Sequence, residues 1–103
     1  MQDYFVVQQG AVAQWECDHM GHWNVQFYIA RLSDGIRHLR HMIGDADVAV
    51  PWDILEILVR YQREMHAGDV FRVEAGILSV QEKTVLLDVN IINLNRDQIA
   101  ANM

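Results

Sequence analysis

The stretch NVQFYIARLSDGIRHLRHMIG, residues 24–44, decides how the rest of the chain must fold. Val25, Tyr28, Ile29, Leu32, Ile36, Leu39 and Ile43 recur every three or four residues, the apolar stripe of an amphipathic helix. Gln26, Arg31, Asp34, Arg37, Arg40 and His41 fall mostly on other faces. Asn24 suits the N-cap, where a side-chain oxygen takes a first-turn N–H, and Gly44 suits the left-handed position after the last turn. Gly35 in mid-helix costs up to ~1 kcal/mol relative to alanine. The expected return is close approach of the helix to whatever it packs on.

Outward from this helix the period becomes two. Tyr4, Phe5, Val6, Val7, Val12 and Trp15 predict a first strand ending near Trp15, with Gly10 marking a bulge or bend. Beyond the loop DADVAVP, residues 45–51, Leu55, Ile57, Val59, Tyr61 and Met65 alternate with Glu56, Leu58, Arg60, Gln62 and Glu64, as in a half-buried strand. Gly68-Asp69 marks a turn, Phe71, Val73, Ala75 and Ile77 resume the alternation, and its slip at Gly76–Leu78 reads as a bulge. Glu82-Lys83 turns into Val85, Leu87, Val89 and Ile91, and Asn95-Arg96-Asp97 turns into a short final strand over 98–103. Short turns imply an antiparallel meander, one side of which the helix face must cover. The fold class is α+β, an antiparallel sheet wrapped around one long central helix.

At 103 residues the chain reads as a single domain, 1–103, and 51% hydrophobic with 21% charged residues is a globular profile. Fourteen acidic against eight basic residues give a net charge of −6, which argues against nucleic acid as a partner. The start MQDYFVVQQG has no basic region before an apolar run, and no run approaches the ~20 residues that cross a bilayer. One cysteine, Cys17, excludes an internal disulfide framework and suits a reducing compartment, so the expected location is the cytoplasm.

Chemistry concentrates in WECDHMGHWN, residues 15–24. Cys17, His19 and His22, with Asp18 or Glu16, are zinc-type ligands, but no second, separated ligand pair accompanies them, and no metal is expected. Cys17 reads more simply as a small residue at a strand end than as a nucleophile, and His38, His41 and His66 read as solvated. Asp18 lies in a turn with Gly21, a few residues before a helix N-terminus whose unpaired N–H groups carry about half a positive charge. A carboxylate facing those donors would bracket a reacting carbonyl. Composition and spacing alone favour the alternative, that Asp18 merely caps its turn.

The order carboxylate-x-Asp-x-x-Gly-His-x-Asn-x-x-x-Tyr, here Glu16, Asp18, Gly21, His22, Asn24 and Tyr28, resembles the opening signature of hot-dog-fold thioesterases. The similarity is to the 4-hydroxybenzoyl-CoA thioesterase-like acyl-CoA thioesterases, and YQREMHAGDVFRVEAGILSV, residues 61–80, resembles the same family. The resemblance implies a hot-dog fold and hydrolysis of acyl-CoA or acyl carrier protein thioesters without a cofactor. It places the catalytic carboxylate at Asp18, as nucleophile or as base toward water, and the carbonyl-polarising backbone N–H at Val25, within a residue. His22, Trp23 and Asn24 are then expected to shape the loop and pocket mouth, and Tyr28 the pocket wall. Asp34 is a second helix carboxylate to weigh. Arg60, Arg63, Arg72 or Lys83 would receive the nucleotide phosphates, unless they are simply solvated strand positions.

In this family active sites form between subunits, so a homodimer or homotetramer is implied. Two departures stand out: Asn24-Val25 replaces a repeated asparagine, and the sequence stops at Met103, where family members complete a longer last strand. A short last strand is therefore expected to leave an edge that a partner subunit covers, or a fold less stable than its relatives. The competing classes are a non-catalytic acyl-thioester or partner-binding module on the same fold, and a hot-dog dehydratase that sets His22 or His66 against a carboxylate.

Overall fold

The computed structural model describes residues 3–44 and 52–103. In chain order the elements are β1 (Tyr4–Ala11), a 3₁₀ turn (Gln14–Glu16), α1 (Val25–Met42), β2 (Arg60–Tyr61), β3 (Val70–Val80), β4 (Val85–Asn93) and β5 (Gln98–Asn102). The expected loop over 45–51 lies outside the described residues.

Helix α1 begins and ends where its capping residues dictate. The Asn24 side chain accepts from the Gln26 N–H at 3.4 Å, the Ile43 N–H returns to the Leu39 carbonyl, and Gly44 is left-handed at φ +78°. Tyr28, Leu32, Gly35 and Leu39 form its buried face, while the stripe's two ends, Val25 and Ile43, are exposed. Gly35 repays its helical cost as expected. A Cβ there would lie 3.1 Å from Val7 Cγ2 and 3.6 Å from Val73 Cγ1, so the missing side chain lets α1 settle onto β1 and β3. Gly35→Val should therefore destabilise the fold by about 2 kcal/mol through overpacking, read as a lower urea midpoint with an unchanged slope.

The sheet runs β1-β3-β4-β5-β2, every neighbouring pair antiparallel. Val7, Phe71, Val73, Ala75, Val89, Ile91 and Ala101 belong to the core beneath the helix, and in β3 and β4 they alternate with less buried residues. The predicted slip in β3 is a bulge between Ile77 and Ser79, and the Glu82-Lys83 turn closes with Gln81 N–H to the Thr84 carbonyl at 2.8 Å.

Three expectations need correction. The first strand ends at Ala11, not Trp15, because the Glu16 N–H turns back to the Ala13 carbonyl at 3.0 Å and makes a 3₁₀ turn. The bulge of β1 falls between Val6 and Gln8; Gly10 instead admits the Phe71 ring, whose Cζ would sit 2.9 Å from a Cβ. The strand expected over Leu55–Met65 shrinks to Arg60–Tyr61. β5 has five residues, of which Asn102 and Ala101 pair with Arg60 and Tyr61. Residues 52–59 have no ladder partner among the described residues, and Leu55 and Leu58 are 81% and 69% exposed.

Beyond Tyr61 the N–H groups of Gln62 and Arg63 both reach the Ala100 carbonyl, and Met65 is buried. Buried Asn93 then ties two turns together. Its amide donates to Asp69 Oδ2 at 3.1 Å, and its Oδ1 accepts from the N–H groups of Asn95 and Arg96. Asp69 Oδ2 also takes the His66 N–H at 2.9 Å. These bonds fix the segment that lies against the start of α1.

Candidate active site

Residues 16–24 form a small hairpin feeding the helix. The Asn24 N–H donates to the Glu16 carbonyl at 2.9 Å, Cys17 bridges to Trp23, and the Asp18 N–H donates to the His22 carbonyl at 2.9 Å. Gly21 turns the tip with φ +79°, a conformation costly for any residue with a Cβ. Asp18 Oδ1 accepts from the N–H groups of Met20 at 2.9 Å and His22 at 3.1 Å. The exposed carboxylate thus caps its own hairpin, and Asn24, not Asp18, caps the helix.

The His22 N–H, then that of Met20, with His22 and His19 nearby, hold the Asp18 carboxyl below its ordinary value against a smaller opposing effect of desolvation. A lowered carboxylate pKa adds stability above the unfolded value near 3.8, and that stability is lost as pH falls through the lower folded value. If the reaction needs ionised Asp18, the acid limb of a kcat/KM profile should lie below pH 3.8. A limb near pH 6 would point to a different group.

Beside the hairpin, the helix start opens into a cleft of about 150 Å³ lined by Trp23, Val25, Tyr28, Tyr61, Gln62, Arg63 and Glu64. The Val25 N–H has no acceptor among the described residues. It is a free donor at the positive end of an 18-residue helix. The aromatic wall is packed in sequence: Trp23 against Tyr28 at 4.6 Å between centroids, and Tyr28 edge-on to Tyr61 at 5.1 Å. Burial pushes the Tyr28 phenol up to about 12, helped by Glu64, so it stays protonated.

The expected site residues divide. Val25, Trp23, Tyr28 and Arg63 line the cleft; Asp18 does not. Trp23 belongs to the core, only 2% exposed, with its backbone N–H on the Met65 carbonyl at 2.7 Å. His22 packs edge-on to His66, and its Nδ1 lies 3.8 Å from Glu64 Oε2, beyond hydrogen-bond reach. Arg60 is exposed on β2. Arg72 pairs with Glu74 at 3.1 Å and Lys83 sits in the β3–β4 turn; neither lines the cleft. Asp34 pairs with Arg37 at 3.0 Å. The Cys17 thiol is pushed up by burial and then by Asp18 and Glu16, and it points its proton at the Ala13 carbonyl, opposite to what a nucleophile needs. Among the described residues no three His, Cys, Asp or Glu side chains gather as a metal-ligand set.

The sequence reading passed over Tyr61, Gln62 and Glu64. Alternation places Tyr61 and Arg63 on one face, but only the return of this segment past Ala100 brings it to the helix start.

A single helix covered by a β1-β3-β4-β5-β2 antiparallel sheet, with a capped polar hairpin leading into the helix, defines a hot-dog domain. The model of the thioesterase-like superfamily matches residues 12–103, and the chain belongs to that superfamily. No curated protein matches the sequence. Solved structures share the fold. One is a candidate thioesterase from Pseudomonas putida KT2440 (TM-score 0.87, 23% identity, 97% of this chain and 68% of that one). Another is a hypothetical protein from Staphylococcus aureus in complex with CoA (0.87, 21%, 99% and 66%). A third is a gentisyl-coenzyme A thioesterase (0.81, 14%, 97% and 84%). The chain spans about two thirds of the length of the first two.

Proposed function

We propose that this protein hydrolyses acyl thioesters of coenzyme A or acyl carrier protein. The observation that carries the reading is the free Val25 N–H at the mouth of an aromatic-walled cleft, a donor placed to polarise a thioester carbonyl. The CoA complexes of two fold neighbours, from Staphylococcus aureus and Streptococcus pneumoniae, support the choice of thiol carrier. Asp18, ionised at neutral pH, supplies the other half. It attacks the carbonyl, expelling the thiolate and leaving a mixed anhydride that water cleaves, or it takes a proton from the attacking water. Arg63, which lines the cleft, is the cation for the carrier's phosphates, with exposed Arg60 on β2 as a second.

Because Asp18 stands outside the cleft of its own chain, the complete site is assembled from two copies. The apolar segment 52–59 beside β2, without a ladder partner among the described residues, is the edge where the second copy docks. Light scattering should give at least twice the chain mass, and Leu55→Lys with Leu58→Lys should halve it. The one cysteine fits a reducing, cytoplasmic setting.

The test is thiol release from acetyl-, hexanoyl- and benzoyl-CoA by wild type and Asp18→Asn. An acylated Asp18 peptide trapped by rapid quench would select the nucleophile route. One observation favours a second reading, a non-catalytic binding module: Asp18 already has a structural task in capping its hairpin. That reading predicts calorimetric CoA binding with no turnover by either protein.

A further inference from the structure

Glu16 is the most buried acidic side chain among the described residues, 5% exposed, and nothing in the reaction outlined above uses it. Its Oε1 accepts from the Ala13 N–H at 2.9 Å, and its Oε2 lies 3.8 Å from Arg31 Nη2 on α1. The Arg31 guanidinium is itself seated 5.1 Å above the centroid of buried Phe71. The backbone of Glu16 is engaged as fully, its N–H on the Ala13 carbonyl and its carbonyl under the Asn24 N–H. Both ends of the Asp18 hairpin therefore meet at this one residue, and the residue after Asn24, Val25, carries the free helix N–H.

We propose that Glu16 is a positioning residue. Its carboxylate, held between Ala13 and Arg31, locks the base of the Asp18 hairpin to helix α1 and so fixes the position from which Asp18 is presented to the cleft of the second copy. The inference rests on the reading of Asp18 and Val25 as the reacting pair. A carboxylate is required because only an anion both accepts from a backbone N–H and offsets the charge of a part-buried guanidinium at ion-pair distance. Glutamine keeps the acceptor for Ala13 but turns neutral, or sets its own N–H groups against those of Arg31.

The experiment uses the full chain, with Glu16→Gln, Arg31→Met, Arg31→Lys and the Glu16→Gln/Arg31→Met double variant. One readout needs no substrate: the Asp18 carboxyl titration followed by 13C NMR. Removing the Glu16 charge would by itself lower the Asp18 pKa, whereas a loosened hairpin withdraws the His22 and Met20 donors and raises it. The expected result is a rise toward 3.8 in Glu16→Gln. With hexanoyl- and benzoyl-CoA, kcat should fall on the order of tenfold while KM stays within about twofold. Arg31→Met should show the same split, Arg31→Lys should restore most of the rate, and the double variant should be no worse than either single one.

A wild-type titration and wild-type kcat in Glu16→Gln would overturn the proposal, even with a lowered Tm. Should Glu16→Gln fail to fold, wild-type kcat in Arg31→Met would overturn it equally. Full activity in Asp18→Asn would instead remove the catalytic reading, leaving the titration to judge Glu16 alone.

Discussion

Asp18→Asn should lower kcat by about 10³-fold with KM within about threefold, and lower Tm only slightly, through loss of the charge on the hairpin cap. Asparagine is nearly isosteric, and its amide oxygen can still accept from the Met20 and His22 N–H groups that hold Asp18 Oδ1. The hairpin, the Asn24 cap and the free Val25 N–H therefore survive the substitution. The anionic oxygen does not, and an amide neither attacks a thioester nor deprotonates water at neutral pH. A 10³-fold loss corresponds to about 4 kcal/mol of transition-state stabilisation, a fair share for one of two reacting groups when the helix N–H remains. Steady-state thiol release over the three-thioester panel makes the measurement. A kcat within twofold of wild type would return Asp18 to the role of hairpin cap.

Phe71→Ala should cost about 4 kcal/mol, a large fraction of the roughly 5–15 kcal/mol that holds a typical domain folded. Phe71 is fully buried, packs against Trp23 at 5.2 Å between centroids, and fills the space that Gly10 leaves on β1. It is also the platform for the Arg31 guanidinium. Truncation opens a cavity beneath the site and loses the cation–π contact. For a domain of this size that predicts a Tm lower by roughly 15–30 °C. Phe71→Leu refills most of the volume and should cost about 1.5 kcal/mol or less. Equal losses in the two variants, measured by urea unfolding, would mean that aromatic contact and not volume dominates.

The candidate site was partly legible in residue order. The hairpin was readable because its chemistry is local: Gly21 supplies the left-handed turn, Asp18 reaches N–H groups two and four residues on, and Asn24 caps the next helix. Spacing alone favoured Asp18 as a turn cap, and that is what its oxygen does; the catalytic assignment came from resemblance. The cleft was less legible. Trp23 was expected at a pocket mouth, yet it is a core residue whose ring joins the wall, because the Met65 carbonyl draws its backbone inward. Glu16 matched a motif position, but nothing in its sequence neighbourhood announced that its carboxylate would be buried against Arg31.

The amino-acid sequence by itself determined the helix from Asn24 to Gly44, the reason for Gly35 within it, the turns at Gly68-Asp69 and Glu82-Lys83, and the meander β3–β4–β5. Each rests on interactions within a few residues: caps, left-handed turns, a period of 3.6 or of 2. Only the tertiary structure decided that the alternating run 55–65 yields two strand residues, or that Tyr61, Arg63 and Glu64 meet the helix start. Alternation says which side chains share a face, but a strand exists only where another backbone offers its N–H and C=O groups. Here β5 offers them to Arg60 and Tyr61.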